Sequence, residues 1–143
     1  MELSSRCAVS CFYILKKDIF LWLVQNYRKL NQYTIKNKKP LPLIGEVINK
    51  LKNVKYFNRL DLIWEYNNIW IKEGDEWKVA FLMNKESFKL KVMYFRLYNS
   101  SEIFQRMMNS IFSELLHKRV LANYINNFII PAKTKKELEK RTV

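Results

Sequence analysis

The string Asn123-Tyr124-Ile125-Asn126-Asn127-Phe128-Ile129-Ile130 constrains the fold most, because it sets two adjacent Asn between two runs rich in β-branched and aromatic residues. Residues 120–125 and 128–130 read as strands, and Asn tolerates the positive φ that a two-residue hairpin turn demands. The local reading is a tight hairpin.

The rest of the chain supplies partners for it. Strand-like segments cover residues 11–15 and 20–24, and a polar loop runs through residues 31–39. Pro40 and Pro42 open a helix that places Leu43, Val47, Ile48 and Leu51 on one face and Asn49, Lys50 and Lys52 outward. Residues 56–63 read as a strand holding Asp61, a carboxylate that is expensive there unless it faces water, a partner or a metal. Residues 69–72 and 77–81 read as two strands joined by Glu73-Gly74-Asp75-Glu76, with Gly74 supplying the unusual backbone angle. Residues 88–93 add a strand. Asn99-Ser100-Ser101-Glu102 reads as the capping box of a long helix reaching Lys118, with Ile103, Met107, Ile111 and Leu115 as its core stripe. His117 in its last turn suits the helix dipole. The order predicts an α+β fold, an antiparallel sheet with helices on one face.

Several blocks resemble, in order and spacing, the fingers and palm of reverse transcriptases (RNA-directed DNA polymerases) of gypsy-type LTR retrotransposon polyproteins. They are Tyr27-Arg28-Lys29-Leu30-Asn31, Thr34-Ile35-Lys36-Asn37, Pro40-Leu41-Pro42-Leu43-Ile44, Val54-Lys55-Tyr56-Phe57, Leu60-Asp61-Leu62, residues 71–78, Ala80-Phe81, Val92-Met93, Phe104-Gln105 and Met108-Asn109. The hairpin itself is similar to the family's Tyr-x-Asp-Asp turn, written here Tyr124-Ile125-Asn126-Asn127. The register runs from about Lys16 to Ile130 and implies a lead-in over 1–15, a fingers/palm-like domain over 16–131 and a charged tail over 132–143. It also implies that one sheet face meets nucleic acid, and that Asp61 lies beside the hairpin tip. No stretch after Ile130 is long enough for the thumb that clamps duplex, so the thumb is expected to be absent.

The resemblance implies nucleotidyl transfer by two Mg2+ ions held by three carboxylates, at the positions of Asp61, Asn126 and Asn127. Carboxylates are needed because two hard cations close together repel, and anionic oxygens neutralise and bridge them. Each lost carboxylate is worth about 3 to 4 kcal/mol of transition-state stabilisation, a hundredfold to a thousandfold in rate. Asp61 alone is then a weak or unoccupied metal ligand, and no tightly bound cofactor is expected. Further departures point the same way: Trp22 stands where the family places a triphosphate-gripping Arg, Asn26 where it has an acid, Glu65 where it has a small residue, and Arg96 where it has Gly. The retained positions Lys16, Lys17, Arg28, Tyr66, Gln105 and Tyr124 are the nucleotide-binding or nucleic-acid-binding candidates that the resemblance carries over.

Composition agrees with a polyanionic partner. Lys and Arg number 26 against 13 acids, a formal net charge of +13, which suits a polyanion such as RNA or an RNA–DNA hybrid. Cys7 and Cys11 are too few for a zinc site and suit free thiols in a reducing compartment. The apolar run over residues 8–15 is too short to span a bilayer and lacks a basic flank, so an intracellular chain with no membrane span or secretion signal is expected. Three functions follow as alternatives: a catalytically silent domain derived from a retrotransposon polymerase, a non-catalytic RNA or RNA–DNA binding module, or a residual RNA-directed DNA polymerase.

Overall fold

The computed structural model describes residues 8–15, 17, 21–38, 41–42 and 44–142; Cys7, Lys16, Phe20, Lys39, Pro40 and Leu43, to which the sequence assigns roles, lie outside them. Along the chain run β1 (Val9–Leu15), β2 (Leu21–Gln25), α1 (Arg28–Tyr33), α2 (Ile44–Lys50), β3 (Tyr56–Asp61), β4 (Phe81–Met83), β5 (Glu86–Phe88), α3 (Ser100–Ile111), α4 (Ser113–His117), β6 (Ala122–Tyr124), β7 (Asn127–Ala132) and α5 (Lys135–Thr142). Two compact units share these elements, one made of residues 1–36 and 66–100, the other of residues 37–65 and 101–143. The α+β class expected from the sequence holds.

The first unit carries a four-stranded sheet in the order β2-β1-β4-β5. β1 pairs antiparallel with β2 and parallel with β4, so this sheet is mixed rather than wholly antiparallel. Its core is Val24, Tyr27, Val79, Ala80, Phe81 and Met93. Tyr27 is buried with its hydroxyl donating to the Val79 carbonyl at 2.8 Å, and burial pushes its phenol well above the usual range. The expected polar loop at residues 31–39 begins instead inside α1. The expected hairpin about Gly74 is absent: Trp70 forms an isolated bridge with Val92, and Trp77 lies in a 3-10 turn, Glu76–Val79. Gly74 does take positive φ, at 85°. β4–β5 forms a tight hairpin, whose two central residues Asn84 and Lys85 both have positive φ, 51° and 71°. That is the requirement of a type I′ turn, and Asn84 was its signal.

The second unit holds a fully antiparallel sheet, β3-β7-β6. Val47, Phe104, Met108, Leu121, Ala122, Phe128, Ile130 and Ala132 are its buried apolar residues. Phe112 packs edge-on to Phe128, with ring centroids 5.2 Å apart. The expected single helix to Lys118 is broken at Phe112, where φ and ψ of −100° and 19° leave the helical well. The buried positions of α3 are Ser100, Phe104, Gln105 and Met108, whereas Ile111 and Leu115 are exposed; the apolar stripe read from sequence was rotated off the true face. Ile48 on α2 is likewise exposed.

β7 extends past Ile130 through Pro131, which lies beyond the last partner that β6 offers, at Ile129. A proline N–H is not missed there, and the Pro131 carbonyl accepts from the Arg141 guanidinium. The charged residues that follow are folded. Thr134 Oγ1 accepts the Glu137 N–H and the Glu137 carboxylate accepts the Lys133 N–H, a reciprocal cap that starts α5. Those contacts, led by the Lys133 hydrogen bond, hold the Glu137 carboxyl below its usual range.

Candidate functional site

The β3–β7 register decides where the Asp61 carboxylate stands. Asp61, the last residue of β3, lies directly opposite Asn127, the first of β7, and the Leu62 N–H donates to the Asn126 carbonyl at 3.0 Å. Asp61, Asn126 and Asn127 are thus gathered at one end of one sheet. Tyr124 faces Asn127 from β6 and is half-buried.

The hairpin turn consists of Ile125 and Asn126, and the positive φ falls on Ile125 at 54°, not on an asparagine. A positive φ at only the first central residue is the pattern of a type II′ turn, which favours Gly. A β-branched residue there stores about 1 to 3 kcal/mol of strain. Gln105 offsets it: this side chain, 3% exposed, accepts the Ile125 N–H at 2.7 Å and donates to Asn109 Oδ1 at 2.9 Å. Both ends of its amide are engaged beneath the turn. A Gln105→Leu substitution is expected to cost about 1 to 3 kcal/mol, read by urea denaturation, and to speed hydrogen exchange at the Ile125 amide; unchanged exchange there would show that Gln105 does not hold the turn.

Asp61 has a partner that the sequence reading missed. Arg59, two residues earlier and therefore on the same face of β3, donates from Nη2 to both carboxylate oxygens at 3.2 and 2.9 Å and from Nε to Oδ1 at 3.4 Å. Both side chains are exposed, at 61% and 51%. The two asparagines bond each other, Asn127 Nδ2 donating to Asn126 Oδ1 at 2.9 Å. No group of three or more His, Cys, Asp or Glu side chains able to hold a metal ion occurs among the described residues. One carboxylate already paired with a guanidinium, beside two neutral amides, does not match the anionic charge that a pair of divalent cations requires.

A hollow of about 710 Å³ also lies in this unit, lined by Gln105, Asn109, Asn123, Glu102, Arg106 and His117 among others. None of Asp61, Asn126 and Asn127 lines it.

The first unit carries Lys17, Arg28 and Tyr66, with Trp22 and Arg96. Arg28 and Lys29 on α1, with Lys78, line a groove of about 760 Å³ that also exposes Tyr33 and Trp77. No carboxylate lines it among the described residues. Lys78 lies 5.8 Å from the Trp77 ring centroid and donates to Asp75 at 2.6 Å, a bond that holds the Asp75 carboxyl below its usual range. Arg96 is exposed and stacks 5.3 Å from the Phe95 ring centroid, while Asn31 fixes its loop by donating to the Arg96 carbonyl and accepting the Tyr98 N–H. No helix among the described residues is long and apolar enough to cross a membrane.

Known proteins share this fold. The sequence profile described as "Reverse transcriptase (RNA-dependent DNA polymerase)" matches residues 15–142. The Transposon Tf2-7 and Tf2-3 polyproteins of Schizosaccharomyces pombe are each 32% identical over 130 residues, which is 91% of this chain and 10% of each polyprotein. Among solved structures, the foamy viral protease-reverse transcriptase in complex with RNA/DNA hybrid is similar in fold, with a TM-score of 0.82 at 16% identity over 98% of this chain and 18% of the viral one.

Proposed function

Because the chain belongs to the reverse transcriptase (RNA-dependent DNA polymerase) family, we propose that it is a retrotransposon-derived domain that no longer transfers nucleotides and that acts, where it acts, by binding RNA or an RNA–DNA hybrid. The observation that carries the silent reading is the pairing of Asp61 with Asn127, with Asp61 held by Arg59. In this reading Asp61 is the surviving catalytic acid, and Asn126 and Asn127 occupy the positions of lost ones. Bound Mg2+ would supply Lewis-acid stabilisation of the migrating phosphoryl group; the residues present do not fit two such ions.

Binding needs less than catalysis does. It asks for cations spaced along a backbone and for aromatic faces on which bases stack. Arg28, Lys29 and Lys78 beside Tyr33 and Trp77 supply both in one groove. A foamy viral relative is described in complex with RNA/DNA hybrid, which supports the same partner for this chain.

The binding arm is tested by titrating a labelled RNA–DNA hybrid at several salt concentrations. Each phosphate neutralised contributes about 0.9 to the negative slope of log K against log salt on a duplex, so Arg28→Ala is expected to lower the slope by about one. A salt-independent affinity, or no affinity at low salt, contradicts the binding assignment.

A further inference from the structure

We infer that Arg59 replaces a divalent cation as the counter-charge of Asp61, so that the hairpin tip accepts a phosphodiester backbone with no metal bound. This rests on the reading of the chain as a nucleic-acid binder and adds how the tip takes part. A tip with acids at positions 61, 126 and 127 carries three negative charges, repels phosphate, and becomes attractive only when cations load it. Here two of the three side chains are neutral, and the remaining carboxylate faces the Arg59 guanidinium at 2.9 Å. The tip is electroneutral without any ion.

The exchange of acid for amide also changes hydrogen-bonding sense. A carboxylate only accepts, whereas an amide both accepts and donates. Asn126 uses its Oδ1 for Asn127 Nδ2, which leaves its own Nδ2 as a further donor at the tip. Arg59 engages Asp61 through Nε and Nη2, which leaves Nη1 as a further donor on the same exposed face. Phosphate oxygens are acceptors, so both are of the sense a backbone needs. The loss of two acids, ruinous for metal chemistry, makes the tip compatible with an anionic backbone by itself.

The test is fluorescence polarisation of a short labelled RNA–DNA hybrid with the full chain, in EDTA and in Mg2+. The parent chain is expected to bind with the same Kd in the two buffers, within about twofold. The N126D/N127D variant is expected to bind at least about tenfold more weakly in EDTA and to recover in Mg2+. Arg59→Gln weakens binding in EDTA, and adding Asp61→Asn to it restores binding in part, because the uncompensated charge is then gone while the Nη1 donor is not replaced. Both positions are exposed, and a urea unfolding curve for each variant separates altered binding from altered folding. Parent binding that requires Mg2+, or an N126D/N127D variant that binds as the parent does in EDTA, overturns this inference and leaves the binding assignment standing. Absence of binding in both buffers overturns both.

Discussion

Placing acids at positions 126 and 127 and freeing Asp61, in the N126D/N127D/R59Q variant, is expected to create a Mn2+ site of millimolar affinity or tighter, at least about a hundredfold above the parent chain. The register places Asp61 opposite Asn127, and the Leu62 N–H bonds the Asn126 carbonyl, so three carboxylates would converge on one strand end. Opposite unit charges 4 Å apart near a protein surface attract by about 4 kcal/mol. Two added carboxylates facing a divalent cation therefore supply far more than a hundredfold needs, even after solvent screening. Arg59 should matter to the size of the gain, because a guanidinium bound across both Asp61 oxygens competes with the ion. The N126D/N127D variant that keeps Arg59 is expected to gain less. Titration of Mn2+ by calorimetry reads the series, and a triple variant no better than the parent would show that the Asp61 carboxylate does not point at the tip.

Phe104→Ala is expected to destabilise the chain by about 3 to 5 kcal/mol, the usual cost of emptying a fully buried aromatic site. Phe104 has no exposed surface and stands on α3 next to Gln105, the residue beneath the hairpin turn. A single-domain protein has about 5 to 15 kcal/mol of stability in all, so most of the margin is at stake. Ile111→Ala on the same helix, at a position 62% exposed, is the contrasting variant and is expected to change stability by less than about 0.5 kcal/mol. Urea denaturation followed by tryptophan fluorescence measures both; equal costs for the two would contradict the observed face of α3.

The contrast between Phe104 and Ile111 shows what sequence could and could not say. Helical spacing is visible in the sequence, but Ser100 and Gln105 are polar and mask the buried face, so the apolar pattern points one position away from it. The break at Phe112 carries no Pro or Gly and left no mark. At the charged end, Thr134 and Glu137 form a cap with a readable sequence signal, but the basic residues around it suggest solvated chain. Where backbone chemistry is specific, reading succeeded. The two strands around Asn126 and the positive φ at Gly74 are present, and the strand read over residues 56–63 is present as β3, which stops at Asp61. The strain at Ile125 was invisible because it exists only with Gln105 beneath it, a contact between residues 20 positions apart. Arg59 was legible in principle: an Arg two residues before an Asp on a strand shares its face. Charge counting over longer windows averaged that pair away.

The central claim, that one guanidinium-bound acid among amides cannot organise nucleotidyl transfer, is tested most directly by primer extension with the purified chain on an RNA template in Mg2+ and in Mn2+. The expected result is no incorporation above a no-protein control with either ion. Addition of even a few nucleotides, abolished by Asp61→Asn, would contradict it.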